Sequence, residues 1–290
     1  MNAPARFVPA LFVVVWATGF IGARYAMPWA EPFSFLAVRF GLSLLIIGAI
    51  AIAIGASRTG VRGAANAAFA GALMHGVYLG GTFWAVRHGM TAGFAALIVG
   101  MQPLITAVIA GAALGERIAP RNWAGLALGF AGVLVVIWPK LGAAVGALTP
   151  AVLAAMVLGV VAMSAGTIWQ KRFVGGLDIV TGSFWQFAGA TALMAAMSLL
   201  LETREYTPTG ELVLAMGWSV LVLSIGAIFL LMYLIREGSV AKVSSLFYLV
   251  PAATALMAWP LFGETLSAMQ IAGMAIVTLG VALATSSRDA

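Results

Sequence analysis

The feature that most constrains this chain is its division into apolar runs of about twenty residues, such as Phe33 to Ile54 and Leu212 to Ile235, with nearly every charge placed between runs. An α-helix needs about 20 residues to cross the hydrocarbon core, and each run stays apolar on all its faces. A transmembrane barrel would instead show alternating segments of about ten residues. The runs predict an all-α polytopic membrane protein with ten transmembrane helices. These are Phe7 to Tyr25, Phe33 to Ile54, Ala64 to Val86, Ala92 to Ala113, Asn122 to Pro139, Pro150 to Trp169, Val180 to Leu201, Leu212 to Ile235, Ala241 to Phe262 and Ala268 to Thr285. Composition agrees: 63% of the 290 residues are hydrophobic and 8% are charged, too few charges to cover a soluble globule. The first run has no small-residue cleavage site and reads as a retained span.

The net charge of +6 does not point to nucleic acid, because the cations are scattered over short loops. With ten spans, Arg6, Arg58, Arg62, Arg117, Arg121, Lys171, Arg172, Arg236, Lys242 and Arg288 lie on one side, and Arg24, Arg87, Lys140 and Arg204 on the other. The positive-inside rule then puts both termini in the cytoplasm. The chain has no Cys, which excludes disulfides, thiolate metal sites and cysteine nucleophiles.

An internal repeat divides the chain at residues 1–146 and 147–290. Arg87-His88-Gly89 aligns with Arg236-Glu237-Gly238, Gly115-Glu116 with Gly263-Glu264, Gly125 with Gly273 and Gly132 with Gly280. Pro103 and Pro251 each stand twelve residues before their Gly-Glu pair. Earlier in each half, Thr18-Gly19 falls opposite Ala165-Gly166, Arg24 opposite Lys171 and Phe40 opposite Phe187. Five spans per half is an odd number, so the halves must enter the membrane from opposite faces as inverted-topology repeats.

The pattern Trp16-Ala17-Thr18-Gly19-Phe20 with Arg24 and Pro28, then Pro32-Phe33 and Arg39, followed in each half by the Pro and Gly-Glu spacing, resembles the drug/metabolite transporter superfamily and its EamA-type members. Within it the chain looks most like YddG-type bacterial inner-membrane exporters of aromatic amino acids and flat cationic toxicants. The resemblance spans essentially the whole chain. It implies a monomeric, multi-pass transporter of the bacterial inner membrane, working by alternating access on a small-molecule substrate. The second half departs from the first in having Gln186 opposite Arg39 and Glu237 opposite His88.

Candidate site residues are the polar and adaptable groups at mid-depth. His75, Tyr78 and Thr82 share one helical face, beside Gly76, Gly80 and Gly81. They read either as a hydrogen-bonded helix contact or as a cavity lining. Pro103, after Met101 and Gln102, and its counterpart Pro251, after Ser244 and Tyr248, are expected to kink or hinge their spans, and paired interruptions point to a midplane site. Trp16, Met163, Ser164 and Trp185 would add aromatic, polarisable and polar lining, although most Met and Trp in such a chain simply pack. The substrate-binding set is then Trp16, His75, Tyr78, Thr82, Met101, Gln102, Met163, Ser164, Trp185, Ser244 and Tyr248, suited to aromatic or hydrophobic amino acids and flat metabolites. Arg39 reads chiefly as a structural residue reaching outward to Glu31, with capture of a substrate carboxylate as the alternative. Glu116 and Glu264 read as structural groups at span ends.

No Asp or Glu falls within a span, which argues against tight coupling to protons or sodium; His75 is the one mid-membrane group that titrates near neutrality. There is no Walker loop, no grouping of His with Cys or carboxylate at metal-ligand spacing, and no cofactor motif. Rival readings are a carrier of phosphorylated or nucleotide-linked solutes, for which Lys242 would have to reach inward, a membrane-embedded enzyme using Ser164, Ser244 and His75, and a non-transporting scaffold.

Overall fold

The computed structural model describes residues 7–90, 95, 98–115, 118–141, 149–262 and 267–285. Helix α1 is Val8–Ala26 and α2 is Pro32–Ala53; α3, Val61–Gly71, continues through a π-helical segment, Ala72–Val77, into α4, Tyr78–Arg87. Then follow α5, Gln102–Leu114, and α6, Pro120–Leu141. In the second half α7, Pro150–Trp169, runs into a π segment, Gln170–Val174, before α8, Ile179–Leu201. Helix α9, Gly210–Trp218, passes through a third π segment, Ser219–Ala227, into α10, Ile228–Glu237. Finally α11, Val240–Ser245, joins α12, Leu249–Phe262, through a 3₁₀ turn at Leu246–Tyr248, and α13 is Ala268–Thr285. Among the described residues the only β pairing is an isolated bridge between Ala30 and Tyr206.

Among the described residues the apolar runs are helical, but several are not uniform. Four helical stretches, Pro32–Ala53, Pro150–Val174, Ile179–Leu201 and Gly210–Glu237, are by themselves long and apolar enough to cross a membrane. The kink expected at Pro103 is instead a fresh start: α5 begins at Gln102 after a turn at Gly100 and Met101, and Pro103 occupies the first helical turn, where its missing N–H costs nothing. Pro251 likewise stands just beyond the 3₁₀ turn, near the start of α12.

Packing is tightest where glycine removes the side chain. Helix α6 lies against α13, and α2 and α3 both lie against α8. A Cβ on Gly71 would overlap the Gln186 carbonyl, and one on Gly189 the Ala68 carbonyl. In the α6–α13 contact, a Cβ on Gly132 would sit 2.6 Å from the Val277 nitrogen and one on Gly273 2.7 Å from the Val136 nitrogen. Phe12, Phe35, Phe40, Phe187, Met156 and Met194 fill the centre, while Leu45, Ile52, Leu200 and Leu214 point outward, as lipid-facing residues should.

Several charges expected from sequence to mark topology also close helix ends. Arg87 Nη1 donates to the Met27 carbonyl at 2.7 Å, just beyond α1. Arg236, its repeat counterpart, donates through Nε to the Gly175 carbonyl at 3.2 Å and through Nη2 to that of Leu177, just beyond the equivalent helix. Lys171 Nζ donates to the carbonyls of Ile235, Arg236 and Gly238 at 2.8–3.0 Å, satisfying acceptors left open at the end of α10. Glu202 accepts the N–H groups of Phe33 and Ser34, each at 2.7 Å, and so caps α2 from the end of α8. Glu116 and Glu264 lie outside the described residues.

Candidate functional site

The centre of the molecule is a seam between the halves. Phe40 on α2 packs on Phe187 on α8, ring centroids 5.8 Å apart. These two residues correspond in the repeat, so each half presents the same ring to the other.

On one side of this pair Arg39 Nε donates to Ser224 Oγ at 2.9 Å. On the other side Gln186, the repeat counterpart of Arg39, bonds to His75 at 3.2 Å. Counting back twelve residues from Arg87 and from Arg236 sets His75 opposite Ser224. The two hydrogen bonds are therefore reciprocal: Arg39 on α2 and Gln186 on α8 each reach the π-helical residue of the other half. Gln186 Nε2 donates to Gln170 Oε1 at 2.6 Å and also approaches the Met232 sulfur at 3.3 Å. Its Oε1 is left to accept from His75, which assigns the imidazole proton to Nε2. The His75 ring stacks on Phe187, centroids 5.3 Å apart and planes 16° from parallel.

Three π segments converge here. His75 lies in the first, Gln170 opens the second and Ser224 lies in the third. The first and third occupy corresponding positions in the two halves. A π turn spends more residues per turn than an α turn, so it re-aims the side chains within it, and such segments concentrate at functional sites. Hydrophobic periodicity does not reveal them, because every face of these spans is apolar.

A second polar chain runs between α5 and α7. Gln102 Nε2 donates to Thr106 Oγ1 at 2.9 Å, Thr106 donates to Ser164 Oγ at 3.0 Å, and Ser164 donates to the Val160 carbonyl at 3.0 Å. Three of the sequence-predicted groups, Gln102 Oε1, Ser244 Oγ and Tyr248 Oη, are fully buried with no hydrogen-bond partner among the described residues. Unsatisfied buried polar atoms are uncommon and mark places where a ligand or water completes the pairing. Trp16 packs edge-on against Phe247, ring centroids 5.2 Å apart, and Tyr78 is buried.

The remaining candidates are placed differently. Thr82 Oγ1 bonds the Tyr78 carbonyl of its own helix at 2.8 Å, which occupies its donor. Met163 is buried, and the ring of Tyr248 lies against Gly129 of α6. Met101 is 44% exposed and Trp185 36%, so neither is drawn into the packed seam. Arg39 does not extend to Glu31: it is only 5% exposed and bonded to Ser224, while Glu31 Oε2 accepts the Glu205 N–H at 2.9 Å and the Thr203 hydroxyl at 3.3 Å. Small burial would raise the Glu31 pKa, but bonds from the backbone of Glu205, Arg204 and Thr203 outweigh it and hold the carboxyl below its ordinary value. The residues not singled out as candidates from sequence are Gln170, Gln186, Ser224 and Thr106. The Arg39/Gln186 and Phe40/Phe187 correspondences were the signal that could have found the seam. Among the described residues no group of three or more His, Asp or Glu is arranged to hold a metal ion.

The arrangement is a buried, polar, two-part contact between residues of the first and second halves of the chain. Comparison with known proteins agrees. The family model of the EamA-like transporter family matches twice, over residues 7–138 and 150–286. The "Uncharacterized inner membrane transporter YedA" of Escherichia coli K12 is 27% identical, over 95% of this chain and 89% of its own length. A "Probable amino-acid metabolite efflux pump" of Salmonella typhimurium is 24% identical, over 97% of this chain and 94% of its own. A "Probable terminal-alkyne amino-acid exporter" of Streptantibioticus cattleyicolor is 26% identical, over 94% and 90%. A solved crystal structure superposes with a TM-score of 0.80 at 22% identity, covering 98% of this chain and 97% of that one, and so shares the fold. The chain belongs to the EamA-like transporter family, and it is a membrane transporter rather than an enzyme.

Proposed function

We propose that the protein exports amino acids, preferentially aromatic or hydrophobic ones, and similar flat metabolites across the bacterial inner membrane. It works as a monomer of ten spans with both termini cytoplasmic, in which residues 1–146 and 147–290 are inverted repeats that rock about their shared seam. The observation that carries this reading is the reciprocal pair Arg39–Ser224 and Gln186–His75 around Phe40 and Phe187. A two-fold relation between antiparallel halves requires such exchange, in which i meets j′ and j meets i′. The α6–α13 contact supports it independently. Gly125 approaches the Gly280 carbonyl and Gly132 that of Gly273, and these four glycines are two repeat-equivalent pairs.

Arginine and a short run of neutral polar groups can hold a charged head, while Trp16, Tyr78, Met163 and the seam phenylalanines offer apolar and aromatic contact. The unpartnered Gln102 Oε1, Ser244 Oγ and Tyr248 Oη would take further hydrogen bonds from the substrate, with Thr82 and Ser164 in supporting positions. Breaks at Pro103 and Pro251 supply the hinges. The names of two relatives, which refer to amino-acid export or efflux, favour the same substrate class. Counterflow of labelled amino acids in proteoliposomes tests the proposal. Exchange of aromatic and branched amino acids is expected. Flux confined to phosphorylated or nucleotide-linked solutes, or no flux at all, would overturn it. An imposed pH gradient is expected to change the rate little, because no described carboxylate lies within a span.

A further inference from the structure

The seam is symmetric in position and asymmetric in charge. Where the second half places the neutral Gln186, the first places Arg39, and only the Gln186 side is closed on itself by protein hydrogen bonds. Arg39 lies about 10 Å along α2 from its start, allowing 1.5 Å per residue. A guanidinium has five N–H donors. One, on Nε, goes to Ser224; the other four, on the terminal nitrogens, meet no acceptor among the described residues.

The described carboxylates cannot supply the missing charge. Glu31 and Glu202 are held at the start of α2, and Glu211 bonds the Trp29 indole at 3.0 Å. Asp178 caps α8 at its other end, Glu205 is exposed in the segment between α8 and α9, and Glu237 is exposed at the end of α10. A buried cation with no counter-ion is costly in the interior of a membrane bundle, where a partner of opposite charge restores most of the loss.

We propose that Arg39 is the seat for the carboxylate of the transported solute. Ser224 fixes Nε and so orients the planar fork, leaving its terminal nitrogens for a two-pronged grip on one carboxylate group. Phe40, whose ring centre lies 5.6 Å from the Arg39 guanidinium carbon, and Phe187 beyond it face the apolar remainder of the solute. One cation beside one neutral hydroxyl balances a single negative charge, which favours a monocarboxylate over a phosphate ester. This assignment rests on the transporter reading and narrows its substrate class to solutes bearing one carboxylate.

The test is the ratio of counterflow rates for phenylalanine and for phenylalaninol, which has the same ring and amine but no carboxylate. A ratio does not depend on how much of a variant folds. Wild type is expected to prefer phenylalanine by roughly tenfold or more, as a charge-assisted bidentate contact implies. Arg39→Gln should abolish the preference, Arg39→Lys should keep part of it, and Ser224→Ala should reduce it modestly. If Arg39→Gln fails to fold, Arg39→Lys and Ser224→Ala carry the test. A ratio unchanged in the variants that fold overturns the proposal, as does stronger competition by inorganic phosphate than by benzoate.

If wild type exchanges neither compound, the transport reading fails separately. Thermal stabilisation of the detergent-solubilised protein by sodium benzoate then tests Arg39 alone. Stabilisation that is weakened in Arg39→Lys supports the seat, and the absence of stabilisation in wild type contradicts it.

Discussion

The two halves of this molecule close their helix ends by different means. In the second half Thr149, Asp178, Thr209 and Ser239 each cap the helix that follows with their own side chain. In the first half α1, α2, α3 and α5 have no such cap, and α2 borrows Glu202 from across the seam. The second half carries its local order in its own sequence, whereas the first depends on contact with its partner. The same division appears at the centre, where Gln186 is satisfied within a protein network and Arg39 is not. The family model matches both halves, and Arg39 stands in the half whose helices α1, α2, α3 and α5 lack side-chain caps of their own.

The largest expected effect breaks the contact between halves. Gly189→Ala forces a Cβ into the Ala68 carbonyl and should cost about 3 kcal/mol or prevent folding, read as a fall in thermal midpoint or a loss of monodisperse protein. Gly217→Ala has open space and should stay within about 1 kcal/mol of wild type. Next, Gln186→Leu would strip the partners from His75 and Gln170 and should cost about 1–3 kcal/mol in the same assay. Equal stability would show that the neutral side of the seam is not a closed network.

Smaller again are the cation caps. Lys171→Met, which frees three carbonyls, should destabilise more than Arg87→Met, which frees one, with the former near about 1.5–3 kcal/mol. The smallest effect concerns Glu31. Its carboxyl is held below the ordinary 4.5, so its contribution is fully present above that value and is lost as pH falls through the lower folded value. The stability difference between wild type and Glu31→Gln should therefore be constant above about pH 5 and vanish in more acid solution.

Much of the fold was legible because lipid imposes a simple rule: apolar runs of spanning length become helices. Arg87 and Arg236, which the sequence alignment of the two halves pairs, each bond a carbonyl just beyond a helix end. The interior of each span was harder to read. A π turn leaves no mark on a sequence that is apolar on every face, so the re-aiming of His75, Gln170 and Ser224 was hidden. Arg39 looked able to reach Glu31 by length alone; only the placement of Thr203 and Glu205 shows that this acid is already occupied.

The central claim is that equivalent positions of the two halves face opposite sides of the membrane. The chain has no cysteine, so single cysteines report without background. His88 and Glu237 correspond in the repeat and are both exposed. In intact cells a membrane-impermeant maleimide is predicted to label His88→Cys from outside and to reach Glu237→Cys only after permeabilisation. Labelling of both from the same side would contradict the account.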